Sequence, residues 1–88
     1  MTQKEICYWW RNAYIYYAHI VLNVTQKEIA NSIGVSHTYI HQLIRTIEIR
    51  MRRSPHLIKC IDDLIRKGVS KQYAIFSIYQ FHTLATTK

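Results

Sequence analysis

Apolar residues recur every three or four positions along most of this chain, which is the spacing of one face of an α-helix. The first such stripe follows Thr2 and consists of Ile6, Trp10, Ala13, Tyr17 and either Ile20 or Val21. A second stripe lies beside it and contains Trp9, Tyr16 and Ile20. The first helix is therefore apolar over a large part of its circumference. It is either a central helix that its neighbours surround or a helix that also pairs with a second subunit.

The pentapeptide TQKEI occurs twice, at residues 2–6 and 25–29, and each copy places a threonine three residues before a glutamate. This is the capping-box spacing, in which each side chain bonds a backbone N–H at the other's position, so both copies predict the start of a helix. The apolar pattern is interrupted between them at residues 23–24. The first copy continues without a glycine, whereas the second leads to Gly34.

Two further helices are predicted after the Ser54-Pro55 break, at residues 56–67 and 70–85, with Gly68 between them. The inward residues of the first of these are expected to be Leu57, Ile58, Ile61, Leu64 and Ile65. With one proline and two glycines, the chain has few residues that punctuate β-structure. We predict an all-α fold of about five helices in a single domain, residues 1–88. A central motif occupies residues 25–45, and a C-terminal helical pair, residues 55–88, is a candidate dimerisation element.

The central motif combines a small residue, a glycine and a regular apolar set in one register. Ala30 permits two helices to cross at close range, Gly34 suits a turn that needs a positive φ, and Ser36 can cap the next helix. The positions that would lock the two helices together are Ile29, Ile33, Val35, Ile40 and Leu43. This pattern resembles the helix-turn-helix of bacterial and phage DNA-binding proteins. The longer segment, residues 20–53, is similar to the region of sigma factors that reads the −35 promoter element and to small phage or plasmid regulators.

The resemblance implies a small transcriptional regulator that binds double-stranded DNA sequence-specifically, with a recognition helix at residues 36–46 in the major groove. The residues expected to meet base edges are Ser36, His37, Thr38, His41, Gln42 and Arg45. A helix N-terminus favours anions, and further basic residues follow the motif, so the expected phosphate contacts are Thr25, Gln26, Lys27, Tyr39, Arg50, Arg52 and Arg53. The alternative for both sets is an ordinary solvated helix face, with some arginines suiting a helix C-terminal dipole.

The net charge of the chain also favours a polyanionic partner such as DNA. The chain has 12 basic and 5 acidic residues and a net charge of +7, which is high for 88 residues and typical of a protein that binds a polyanion. The alternative is a basic surface that serves only solubility. An enzyme is not expected, because the one adjacent acidic pair, Asp62-Asp63, is predicted on a helix exterior and no nucleophile elbow or phosphate loop occurs. No cofactor is predicted.

The cysteines and histidines do not form a recognisable metal or disulfide pattern. Cys7 and Cys60 are far apart, and His37 and His41 have no third ligand at a suitable spacing. We therefore expect no metal and a reducing, cytoplasmic location. No apolar run approaches the ~20 residues that cross a bilayer, and no signal peptide is recognised, so no membrane association is expected.

Hydrophobic residues make up 49% of the chain, which is more than so small a monomer usually hides. We therefore expect a homodimer whose interface includes Trp9, Tyr16, Ile75, Phe76 and Tyr79. The main alternative function is a protein-binding module that uses the helix-turn-helix fold to bind RNA polymerase or another regulator. RNA binding is less favoured, because the aromatic residues fall in helical core stripes.

A partial repeat of the motif occurs near the C-terminus. Residues 68–70 repeat the Gly-Val-Ser of residues 34–36, but the segment 67–75 also aligns with residues 22–30. The two alignments conflict, and no second turn glycine follows Ser70. We interpret this segment as a recurring helix-start pattern, and a degenerate second helix-turn-helix is the alternative.

Overall fold

In a computed structural model, which describes residues 2–86, the chain forms five α-helices and one π-helical turn. The helices are α1 (Gln3–Tyr16), α2 (Gln26–Ile33), α3 (His37–Met51), α4 (Pro55–Lys67) and α5 (Lys71–Thr86), and the π-helical turn (Tyr17–Val21) continues α1. Within residues 2–86 there is no β-strand. The all-α fold of about five helices is therefore confirmed.

Both copies of the repeated pentapeptide begin a helix, as predicted. The Thr2 hydroxyl accepts a hydrogen bond from the backbone N–H of Glu5 at 3.2 Å, and the Thr25 hydroxyl accepts one from Glu28 at 3.1 Å. The interruption at residues 23–24 is also present, since Asn23 adopts a positive φ of 59°. This conformation is least costly for glycine and asparagine.

Helix α1 is the centre of the fold and contacts α3, α4 and α5. Its predicted inward stripe is only partly correct. Ala13 and Tyr17 are buried, but Ile6, Ile20 and Val21 are exposed. The π-helical turn explains the last two, because its wider i→i+5 winding moves the residues after Tyr17 out of the 3.6-residue period on which the stripe was based.

Helix α4 buries a narrower stripe than predicted. Leu57, Ile61 and Leu64 are inside, whereas Ile58 and Ile65, predicted inward, are exposed. The helix lies at the surface and packs on α1, α3 and the π-helical turn, so only one side of it is covered. It also begins one residue earlier than predicted, with Pro55 in its first turn.

Helix α5 closes the core by packing along α1. Ala74, Ile78 and Ala85 are buried, and the ring of Phe81 stacks on that of Tyr14 at 5.9 Å between centroids. An ion pair of 2.9 Å between Lys71 Nζ and the Glu28 carboxylate joins the start of α5 to α2. Helix α2 also packs on α5, so the first helix of the motif lies against the C-terminal helix.

Candidate nucleic-acid interface

The turn between α2 and α3 has the geometry that the motif requires. Gly34 ends α2 in the left-handed conformation, with φ 73° and ψ 33°. The backbone N–H of Val35 then donates to the carbonyl of Ala30 at 3.1 Å, and the Ser36 hydroxyl accepts from the N–H of Tyr39 at 3.1 Å. These bonds satisfy backbone groups at the end of one helix and the start of the next, so the turn angle is fixed locally.

The two motif helices are locked by the predicted apolar set. Ile29, Ile33, Ile40 and Leu43 are buried, and Val35 is partly buried against the same core. Ala30 is also buried, where its small side chain allows α2 and α3 to approach. The remainder of α3 is held by Ile44 and Ile47, which are buried as well.

Helix α3 is longer than the predicted recognition helix at residues 36–46, because it runs to Met51. Its inward stripe continues through Ile47 to the partly buried Met51, and no helix breaker occurs before Ser54-Pro55. Arg50 therefore belongs to the last turn of α3.

All six residues predicted to read bases are exposed: Ser36, His37, Thr38, His41, Gln42 and Arg45. They do not occupy equivalent positions. Thr38, Gln42 and Arg45 lie on the side of α3 opposite its buried stripe, as the 3.6-residue period requires. We call these three the outer triad. The Ser36 hydroxyl is engaged in the helix cap, and His41 Nδ1 lies 3.3 Å from Oε1 of Gln26 on α2.

The residues predicted to bind phosphate separate into two groups. The first group lies at the N-terminal ends of α2 and α3 and contains Thr25, Gln26, Lys27 and Tyr39; Lys27 and Tyr39 are exposed. Arg50, Arg52 and Arg53 form the second group at the far end of α3 and are exposed as well. The structure does not bring the two groups together, since α3 separates them by most of its length.

The far end of α3 lies beside α1. The Arg50 guanidinium carbon lies 5.7 Å from the centroid of the Tyr8 ring. Arg50 and Arg53 also line an open cavity of about 430 Å³ with Trp9, Thr46, Ile49 and Ser54. Ile49 continues the outward face of α3 beyond the outer triad but is apolar. Arg50 is consequently the least favourably placed of the predicted phosphate contacts.

Sequence reasoning missed a buried polar cluster between α1 and α5. Arg11 is only 2% exposed, and its guanidinium contacts Asn12 and His82. The Asn12 amide nitrogen is buried and has no hydrogen-bond partner among residues 2–86. No signal in the chain points to this cluster, because an arginine within a basic sequence is normally a surface residue.

Residues 2–86 contain no group of three or more His, Cys, Asp and Glu side chains that could hold a metal ion. Both cysteines are free, and burial raises the pKa of the Cys60 thiol. The Asp63 carboxylate adds to this effect and Lys59 opposes it.

None of the helices in the described part of the chain is long and apolar enough to cross a membrane.

Comparisons with protein-family models, with curated proteins and with solved structures give no significant match to this chain.

Proposed function

We propose that this protein is a small transcriptional regulator that binds double-stranded DNA sequence-specifically, as a homodimer, with α3 in the major groove. The observation that carries the proposal is the presentation of α3. A capped, left-handed glycine turn fixes this helix against α2, and the outer triad projects from its exposed face in a chain of net charge +7. A major groove is wide enough to admit an α-helix presented in this way.

The outer triad has the chemistry for reading base edges. The Gln42 amide can donate to and accept from adenine at the same time, and the Arg45 guanidinium can bond the two acceptors of guanine. Thr38 offers a methyl group to thymine and a hydroxyl to other bases. His41 would contribute less independently, because it is engaged with Gln26.

Backbone contacts would position the helix before any base is read. Lys27 lies in the first turn of α2, where the helix dipole also favours an anion, and Tyr39 is exposed in the first turn of α3. Contacts of this kind release counterions from DNA and make the affinity fall with salt, whatever the sequence.

A homodimer follows from the small footprint of one motif. A single recognition helix contacts only a few base pairs, so pairing of two copies on half-sites about one helical turn (~34 Å) apart is the usual route to useful specificity. The operator is therefore expected to be a near-palindrome.

The direct test is selection of bound sequences from random duplex DNA by the wild type and by Gln42→Ala. We expect the wild type to enrich a two-fold symmetric site. Gln42→Ala should relax one or two positions in each half-site, at a cost of about 1–3 kcal/mol on the preferred site, and should leave non-specific binding unchanged. Gln80→Ala, which truncates an exposed glutamine on α5, is the matched control and should select the wild-type site. Failure to enrich any sequence, or equal losses on all sequences, would contradict the proposal.

One observation favours a second candidate function, a module that binds RNA polymerase or another regulator. The cavity at the far end of α3 combines Trp9 and Ile49 with Arg50 and Arg53, a mixture of aromatic, aliphatic and arginine side chains that is common in protein interfaces. Binding to such a partner that survives high salt and needs no DNA would favour this candidate.

A further inference from the structure

The turn between α4 and α5 repeats the main features of the motif turn and has one additional bond, from the backbone N–H of Gly68 to the carbonyl of Ile65 at 3.1 Å. Gly68 has φ 61° and ψ 44°, close to the values of Gly34. The N–H of Val69 donates to the carbonyl of Leu64 at 3.5 Å, as that of Val35 does to Ala30. The Ser70 hydroxyl accepts from the N–H of Tyr73 at 3.2 Å, as Ser36 does from Tyr39. Of the two conflicting sequence alignments, the Gly-Val-Ser alignment is therefore the structural one.

The helices that follow the two turns also bury the same positions. Counted from the turn glycine, Ile40, Leu43 and Ile44 of α3 correspond to Ala74, Ser77 and Ile78 of α5, and all six are buried. The helices that precede the turns differ, since α4 has 13 residues and α2 has 8. The chain thus presents two helices from equivalent turns, α3 and α5.

The outward residues of these two helices differ in chemistry. In this alignment Gln42 and Arg45 of α3 correspond to Phe76 and Tyr79 of α5, which are 61% and 54% exposed. Residues 72–86 contain no Asp, Glu, Lys or Arg, although 19% of the whole chain is charged. A helix face without cations gives phosphate no charged contact, so α5 is poorly suited to be a second DNA-reading helix.

We propose that the outer face of α5, formed by Gln72, Phe76 and Tyr79, binds the same face of a second copy of this chain. Each copy carries a net charge of +7, so two copies repel one another through most approaches. An isologous contact sets a surface against itself, and a basic surface would then meet its own charges. The face of α5 avoids this, because it is both apolar and uncharged.

The position of the two aromatic side chains suits such a contact. Phe76 and Tyr79 lie one turn apart near the middle of α5, so an antiparallel pair of α5 helices related by a two-fold axis buries both side chains of both copies. Three of the five residues predicted for the interface contribute less, because Trp9, Tyr16 and Ile75 are partly buried against the core of their own chain.

The size of the contact sets the expected affinity. A helix of 16 residues is about 24 Å long, and one helix pair buries less than the ~800 Å² per partner of a standard interface. We therefore expect association in the micromolar range in the absence of DNA. The inference deepens the proposed function by locating its dimer interface, and the association itself can be measured without DNA.

Sedimentation equilibrium of the full chain, without DNA and from low micromolar to submillimolar concentration, tests the inference. The wild type should show a concentration-dependent monomer–dimer equilibrium. Phe76→Lys and Tyr79→Lys should each weaken it by about tenfold or more, since each removes a central aromatic and places like charges across the two-fold axis. Ile58→Lys adds the same charge at an exposed isoleucine of α4 and should leave the dimer unchanged. Circular dichroism checks that each variant keeps the helical fold.

A wild type that remains monomeric over this range overturns the inference, as does a dimer that Phe76→Lys and Tyr79→Lys both leave intact. Failure of the proposed function has a different signature. A wild type that dimerises through α5 but enriches no DNA sequence would contradict DNA recognition and leave the self-interaction standing.

Discussion

The guanidinium of Arg11 on α1 lies 3.2 Å from Nδ1 of His82 on α5, a contact between residues 71 positions apart in the chain. Arg11 also donates to Oδ1 of Asn12 from Nε at 3.3 Å and from Nη2 at 3.1 Å, and its guanidinium carbon is 4.4 Å from the centroid of the Tyr8 ring. Arginine has donors only, so the Nδ1 atom of His82 must accept. The imidazole is therefore neutral here, with its proton on Nε2.

This contact predicts that the protein loses stability as the pH falls. Burial, and then the charge of Arg11, lower the pKa of His82 from its ordinary value of 6.5. Below that value the unfolded chain binds a proton that the folded chain still excludes, so the free energy of unfolding decreases until the folded pKa is reached. We expect the midpoints of urea-unfolding curves to decrease as the pH falls through 6.5, the ordinary pKa of a histidine.

Replacing His82 by glutamine removes the titrating group and retains an oxygen that can accept from Arg11. His82→Gln should therefore flatten the dependence of the unfolding free energy on pH in this range. His37→Gln, which changes an exposed histidine of α3, is the control and should keep the wild-type slope. Identical slopes for the wild type and His82→Gln would show that the Arg11 contact does not control the pH dependence.

The helix starts and the motif turn could be predicted from sequence because short-range bonds determine them. Thr2, Thr25 and Ser36 each cap the helix that follows, through a bond to the N–H three residues ahead. Gly34 and Gly68 each end a helix by adopting a positive φ. In all five cases the residue type and its immediate neighbours are sufficient to predict where the helix starts or ends.

The faces of α1 and α4 could not be predicted in the same way, because they depend on which other helices cover them. In α4, Ile58 and Ile65 fit the apolar helical pattern but are exposed. In α1, Arg11 interrupts the apolar pattern but is buried. The local sequence around Arg11 does not indicate that its side chain contacts His82. The second motif-like turn was ambiguous for a related reason, since only its hydrogen bonds distinguish the two alignments of residues 67–75.

The equivalence of the two turns predicts equal costs for replacing their glycines. In the described part of the chain, a Cβ added at Gly34 or at Gly68 would meet no atom within 4 Å apart from those of its two chain neighbours, so the cost of alanine comes from the positive φ alone. Gly34→Ala and Gly68→Ala should each lower the free energy of unfolding by about 1–2 kcal/mol. Chemical denaturation of the two variants measures this directly.

Asparagine tolerates the left-handed conformation better than alanine, so Gly34→Asn and Gly68→Asn should each be less destabilising than the alanine variant at the same position. If asparagine is less destabilising than alanine at both positions, the cost of substitution comes from the left-handed backbone conformation and not from a change in polarity at the helix end. Alanine variants as stable as the wild type would mean that the turns can relax to a negative φ, and clearly unequal costs would contradict the equivalence of the two turns.

The proposed DNA complex predicts a difference between the two groups of basic residues. Lys27→Ala should weaken binding to every DNA sequence and reduce the slope of log K against log salt concentration by about 1, because one phosphate contact is lost. Arg50→Ala should reduce the slope less, because the Arg50 guanidinium lies against Tyr8 and lines the cavity beside Trp9. Lys59→Ala removes an exposed charge from α4, outside the motif, and serves as the control with an unchanged slope. Fluorescence anisotropy titrations at several salt concentrations provide the measurement.

Equal reductions for Lys27→Ala and Arg50→Ala would show that Arg50 leaves Tyr8 to reach the DNA backbone, which would extend the DNA interface along the whole of α3. An unchanged slope for Lys27→Ala would remove the N-terminus of α2 from the interface.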